Sequence, residues 1–515
     1  MLTLYTLPDY GMCWDEYYRW EGGQQKFVYY QSLFRGEDAQ ALLPEADAYP
    51  GFFDLTLAVL TEVTPFGILA LGHGLSLAFG LATVAGAWAV GRLLGGERLA
   101  FWCGLFLLLM PRFYGQMFFN PKDIPFAAGM IWALYFLLRW GRELPRPRIG
   151  LTLALGVAVG LALAIRIGGL VLFAYLGGYV AIVLLRERLN GDVTTKLWLG
   201  HVLRAGGHCL LAVLVALAVL YPWWPYIHSD PLGRIAEAFR TISAYPWEGT
   251  VLLQGELYAA PDIPWYYAPL WLGITLPDVF WFVMAGGLVL VVLGPRRLLE
   301  RALSPEGIPW VVVAVAAVFP LVYVIARGSV LYHGIRHMLF IFPPLACLAA
   351  LAWVSLLDRL KHRKRWRVLA AGALAMLVAV ELATLVRLHP YEYVYFNQLS
   401  GGIGAKAGRY DSEYWGTSLL EAARWLDAYA PEGEYTVADS LAGTRLRMYL
   451  PRRFKLAKPG EKGDFYVSLT RMDGDTIREG ETVYRIERLG LPIAVVKDLR
   501  PGADPLADSP STGQD

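Results

Sequence analysis

Cysteine and charge are what this chain has least of. Four cysteines occur in 515 residues. Cys103, Cys209 and Cys347 sit in apolar stretches and only Cys13 in a polar one, which excludes a disulfide framework. No zinc-type spacing occurs. Charged residues make up 17% of the chain against 56% hydrophobic, whereas a soluble domain carries about 25% charged residues. A soluble globular protein is thereby excluded. The net charge of +2 gives no ground for a nucleic-acid partner, and none is expected. Two further features are missing: an internal repeat and a glycine-rich nucleotide loop.

What the chain does have is long apolar runs. Stretches of about 17–25 apolar residues mark spanning helices. They fall at 70–94, 98–117, 124–140, 149–165, 167–186, 202–222, 274–294, 308–326, 335–356 and 367–387. The fourth and fifth form one apolar stretch broken by "RIGG" at 166–169, which reads as a tight helical hairpin. Five basic loops fall at alternate ends of these spans: "GRLLGGERL", "RWGRELPRPR", "LLRERL", "GPRRLLERAL" and "DRLKHRKRWR". Cytoplasmic loops carry the excess of Lys and Arg, so these five are assigned to the cytoplasm. Residues 1–69, "FFNPKD", "RIGG", the 223–273 loop, "ARGSVLYHGIRH" and everything after 388 are thereby assigned to the other side.

The expected organisation follows. Residues 1–69 form a first extracytoplasmic segment, 70–387 an all-α polytopic membrane domain, 388–500 an extracytoplasmic α/β domain, and 501–515 a disordered tail. In the α/β part, "GTSLLEAARWLDAYA" has helical spacing, while "YTVADS", "DFYVSLT", "TVYRIERL" and "PIAVVKDL" read as strands. The 223–273 loop, rich in Trp, Tyr and Pro, is expected to lie partly in the membrane interface.

The polar residues without an obvious structural use gather on the outer side. Asp15 and Glu16 stand in "GMCWDEYYRWEGG", Asp123 opens the third span, Arg166 sits at the hairpin, and Arg336 and His337 open the ninth span. Each has a plainer reading. Asp123 fits an N-cap ahead of Pro125, Arg166 fits a snorkelling arginine, and His337 an interfacial hydrogen-bonded histidine. The run "YEYVYF" at 391–396 fits an aromatic belt. Taken together, carboxylates, an arginine and aromatics on one membrane face suit a reaction on a lipid-linked phosphate. A carboxylate takes a proton from an acceptor hydroxyl or amine, and Arg matches a leaving phosphate.

"WDE" in the first outer segment, the acidic residue opening the third span, "GLALAIRIGG", "IPWYYAPLWLGITLP" and "GIRHMLFIFPPLA" together resemble the GT-C glycosyltransferases. The branch is that of the protein O-mannosyltransferases and lipid A aminoarabinose transferases, in its bacterial members. The resemblance covers about 10–360 and rests on the order and sidedness of the motifs. It implies Asp15 as general base with Glu16 as its neighbour. It also implies Asp123 near the phosphate or a metal, Arg166 on the phosphate, and Arg336 and His337 at a basic position of the family. Trp14, Asn120, Lys122, Trp265, Tyr266, Tyr267 and Tyr393 are expected around the substrate cavity.

Members of that family carry a membrane helix before the acidic motif, and "MLTLYTLPDY" is too short to span. The expectation is a start site chosen too late, or a fragment. The function expected is an inverting glycosyltransferase of the bacterial inner membrane. It moves a sugar from a polyprenyl-phosphate donor (undecaprenyl is the expected lipid) to a lipid, glycan or protein acceptor at the periplasmic face. A transporter or flippase of lipid-linked saccharide is the alternative, against which the one-sided ionisable groups and the missing repeat count. A non-catalytic membrane protein with a partner-binding outer domain is a third reading. No cofactor is certain, although acidic residues beside a phosphate suit Mg²⁺ or Mn²⁺.

Overall fold

The apolar runs fold as helices whose ends are set by glycine and proline. The computed structural model describes residues 2–39, 49–191, 193–243, 247–439, 443–458 and 460–501. The expected tail from 502 onward lies outside the described residues. Seven helices among those described are long and apolar enough to cross a membrane, or eight if one bent pair forms a single span.

Ten spans were expected, and the shortfall has local causes. The first two share one helix, Ile68–Leu108, bent at Gly95 and Gly96. Gly96 has φ +78, a left-handed conformation that glycine adopts at least cost. The second arm stops at Leu109, because Pro111 starts a separate short helix, Pro111–Gln116. The expected span at 149–165 is the 15-residue helix Ile149–Leu163. Its rise of ~22 Å falls short of the ~30 Å hydrocarbon core. The expected span at 274–294 is Tyr267–Thr275 followed by Asp278–Val292, bent by 105°. Leu276 between them precedes Pro277 and is extended.

Small residues let these helices approach closely. A Cβ at Gly156 would lie 2.7 Å from the Val215 side chain, and one at Gly160 2.7 Å from the Ala216 carbonyl. Gly129 meets Ala162 in the same way. The helix Ile149–Leu163 is thus clamped between Asp123–Gly141 and Thr195–Leu220, the small-residue packing typical of membrane helices. At the far end, Arg98 pairs with Asp358 at 2.7 Å and Arg142 donates to the Leu93 carbonyl at 2.8 Å. Three of the five basic loops therefore meet at one end of the bundle.

The segments before and between the spans carry their own structure. Helices Trp14–Arg35 and Phe52–Val63 pack together before the first span. The 223–273 loop holds the helix Pro231–Ser243 and an antiparallel hairpin, β1 (Thr250–Leu253) and β2 (Glu256–Ala259).

In the C-terminal part the helix Leu419–Tyr429 covers a five-stranded sheet. Its strands are β3 (Tyr435–Asp439), β4 (Phe454–Leu456), β5 (Phe465–Leu469), β6 (Glu481–Arg488) and β7 (Leu491–Asp498). Their order is β4-β3-β5-β7-β6, parallel on the β4-β3-β5 side and antiparallel on the other. β4 is three residues long and was not expected.

The run at 391–396 is not a belt. Tyr391, Tyr393, Tyr395 and Phe396 are all buried. The strand of chain that carries them is pinned by Asn397, whose amide donates to the carbonyls of Gly273 and Leu276 at 2.7 and 2.8 Å.

Candidate active site

Two adjacent carboxylates are sorted by the start of one helix. Cys13 caps Trp14–Arg35, and the Glu16 carboxylate accepts the Cys13 N–H at 2.7 Å, a capping box. Glu16 also faces His73, whose Nε2 lies 3.2 Å away. Neighbouring helical residues point about 100° apart, so Asp15 projects elsewhere. It accepts from Arg336 Nη1 at 2.8 Å and lies 3.5 Å from Lys122 Nζ.

Asp123 completes the cluster from the opposite wall. Asn120 shapes its helix entry: the Asn120 Oδ1 accepts the N–H groups of Lys122 and Asp123 at 3.1 and 2.8 Å. Its Nδ2 donates to Asp123 Oδ2 at 3.1 Å. The cap is Lys122, and the Asp123 carboxylate bonds to no backbone N–H of its helix. It takes Arg166 Nη1 at 2.5 Å and faces Arg336 at 3.8 Å instead. Arg166 therefore pairs inward and does not snorkel.

Five groups thus form one lattice: Asp15 and Asp123 against Lys122, Arg166 and Arg336, an excess of one positive charge. Asp15 is the accessible carboxylate, its side chain 19% exposed against 1% for Asp123. Burial would raise the Asp15 carboxyl, but Lys122 and Arg336 outweigh it and hold it well below the usual range. Aromatic rings back the cations. Lys122 lies over Tyr49 at 4.9 Å, and Arg336 over Tyr332 and Trp415 at 5.0 and 4.5 Å.

A 430 Å³ cavity opens beside this lattice. Arg166, Tyr49, Tyr332 and His337 line it where it meets the ions, while Phe319 and Phe340 are among its apolar walls. Two of its walls, Tyr49 and Tyr332, are the same rings that carry Lys122 and Arg336. The arrangement offers an anion a cationic seat and an attached hydrocarbon chain an apolar groove.

Of the residues expected at the phosphate, Arg166 and His337 line the cavity and Asp123 and Arg336 belong to the lattice; of those expected at the cavity, Lys122 belongs to the lattice and Asn120 braces Asp123. The aromatic residues expected there take other places in the structure. Trp14 lies under Arg445 at 4.2 Å and docks the C-terminal part. Tyr393 bonds Thr417 at 2.8 Å, and Tyr267 accepts the Gly334 N–H at 3.1 Å. Trp265 is exposed and stacks edge-on with Tyr266. None of these five lines the cavity. Its aromatic walls include Tyr49 and, from one stretch between 319 and 340, Phe319, Tyr323, Tyr332 and Phe340.

His333 was also missed. Its φ of +56 is rare outside glycine. Its ring stacks on Tyr414 at 5.0 Å. Burial and the Arg336 charge push its pKa well below the usual histidine value, keeping it neutral.

The donor set does not suit a divalent cation. No group of three or more His, Cys, Asp or Glu gathers among the described residues. Asp15 and Asp123 already face three cations of the protein.

Residues 73–231 match the family model described as dolichyl-phosphate-mannose-protein mannosyltransferase. The matched stretch includes Asn120, Lys122, Asp123 and Arg166 but neither Asp15 nor Arg336. No curated protein matches the chain. Among solved structures, the chain is similar to ArnT from Cupriavidus metallidurans in the apo state, at 17% identity and TM-score 0.46. That similarity covers 92% of this chain and 93% of that one. The same protein bound to undecaprenyl phosphate gives 17% identity and TM-score 0.44, over 87% and 88% of the two chains. The archaeal oligosaccharyltransferase AglB from Archaeoglobus fulgidus, in complex with an inhibitory peptide and a dolichol-phosphate, gives 12% identity and TM-score 0.49. It is matched over 89% of this chain and 66% of that one.

Proposed function

We propose that the chain is an inverting glycosyltransferase of the bacterial inner membrane, using a polyprenyl-phosphate sugar as donor and acting at the periplasmic face. The observation that carries this reading is the junction between the apolar cavity and the ion lattice at Arg166. A lipid tail takes the groove, and its phosphate meets cations at the groove's inner end. The family match over 73–231 supports the class of reaction. The three linked basic loops, on the end away from the lattice, support the periplasmic placement.

The chemistry then runs with the chain's own groups. The acceptor's oxygen or nitrogen attacks the anomeric carbon from the face opposite the phosphate. Its proton passes to Asp15, the new glycosidic bond forms, and the bond from the anomeric carbon to the phosphate oxygen breaks. The electron pair leaves on that oxygen, whose charge Arg166 and Arg336 stabilise. One displacement inverts the anomeric centre.

The test uses purified protein in detergent, with polyprenyl-phosphate sugars and envelope acceptors, following product and anomeric configuration. Transfer with inversion is expected, and Arg166→Lys, which keeps charge but loses the planar fork, lowers it. A flippase gives no product without two compartments. Absence of transfer with every donor, or retention of configuration, overturns the reading.

A further inference from the structure

The Asp15 carboxylate sits on the cations that a donor phosphate needs. Arg336 Nη1 is 2.8 Å from Asp15 and 3.8 Å from Asp123, and Lys122 Nζ is 3.5 Å from Asp15. Arg166 is committed to Asp123. All three cations of the lattice therefore face carboxylates of the chain. Yet the hydrogen-bonding capacity is not used up: the buried Arg336 Nε has no hydrogen-bond partner among the described residues, nor has His337 Nδ1 on the cavity wall. A base so tightly held by two cations is a weak one, since proton affinity falls as the charged form is stabilised. A phosphate entering along the groove meets these cations over the Tyr49 and Tyr332 rings and competes for them.

We infer that Asp15 and the donor phosphate share one cationic seat on Arg336 and Lys122, so that donor binding displaces the carboxylate and thereby frees it as the base. This rests on the donor proposed above and deepens it. The lipid-linked phosphate binds first and switches on proton acceptance. An acceptor arriving without a donor meets a masked carboxylate. Sequential kinetics with the donor leading follow. Asp15 also lowers donor affinity as the cost of being released by it.

The experiment measures binding of undecaprenyl phosphate, without sugar, to the full chain in lipid nanodiscs. Asp15→Asn removes the competing anion and is expected to tighten binding about tenfold, equivalent to ~1.4 kcal/mol. Asp15→Ser, as a second variant, is expected to tighten it in the same direction. Glu16→Gln removes a charge one residue away that contacts none of the three cations, and is expected to leave the affinity unchanged. In an Arg336→Met background the gain from Asp15→Asn is expected to shrink. Binding by the unaltered chain with no gain in either Asp15 variant overturns the shared seat and leaves the donor reading standing. An equal gain from Glu16→Gln overturns it too, because general repulsion then accounts for the effect. No binding of undecaprenyl phosphate to any form overturns the donor reading itself.

Discussion

Arg166 Nη1 stands 2.5 Å from Asp123 Oδ1, joining the turn after a short membrane helix to the first residue of the helix Asp123–Gly141. Asp123 is almost wholly buried, so the pair is both a brace and a part of the phosphate seat. Breaking a buried ion pair from one side costs about 3–5 kcal/mol, because the remaining charge is stranded. Asp123→Asn is therefore expected to lower the thermal midpoint of the detergent-solubilised protein, and transfer with it. The double variant Asp123→Asn, Arg166→Gln removes both charges and is expected to recover stability but not transfer. Equal melting of the single variant and the unaltered chain would exclude the brace.

Asp15 and Glu16 are expected to separate cleanly. Asp15→Asn keeps the shape but removes the base, lowering transfer by about 10²–10⁴-fold. Glu16→Gln weakens a helix cap, which costs ~0.5–2 kcal/mol, and is expected to show as lost stability with near-normal turnover per folded molecule. Single-turnover rates and melting curves on the same samples distinguish the two. A dead Glu16→Gln beside an active Asp15→Asn would exchange their roles.

Stability is expected to depend on pH through His389. Its imidazole lies 3.0 Å from Asp9 and 3.0 Å from Glu392, and Tyr10 donates to the same Glu392 carboxylate. Burial would lower its pKa, but Glu392 and Asp9 prevail and raise it. A raised histidine stabilises fully below its unfolded value of about 6.5 and loses that contribution as pH rises through the folded value. The melting temperature is expected to fall over that window, and His389→Gln to flatten this part of the profile. A profile identical in the variant would remove His389 as the cause.

Sidedness has its own measurement. His362 lies in a basic loop and Glu479 in the C-terminal part, and both are exposed. Cysteine at 362 is expected to react with an impermeant maleimide only in inside-out vesicles, and cysteine at 479 only in right-side-out ones. Labelling of both from one side would overturn the assigned sidedness.

Much of this was legible in the chain because it is local. Apolar runs and the β-branched stretches predict most helices and four of the five strands in the C-terminal sheet. Breaks were harder. Gly95–Gly96 and Pro111 shorten the second expected span, although the run around them is apolar throughout. The Cys13–Glu16 cap was present in the sequence as a spacing, with cysteine where serine or threonine is usual.

The sequence by itself determined which charged residues were available to a site: Asp15, Lys122, Asp123, Arg166 and Arg336. Only the tertiary structure decided which of them meet. Asp15 and Arg336 are 321 positions apart, and no periodicity reports a contact at that range. The aromatics show the same limit from the other side. Tyr267 and Tyr393 are buried, and Trp14 half-buried, against partners from distant segments, while Tyr49 and Tyr332 are among the cavity walls. Aromatic side chains suit core, interface and cavity alike. What separates those uses is which surface folds against them, and that is settled by the packing of the whole chain.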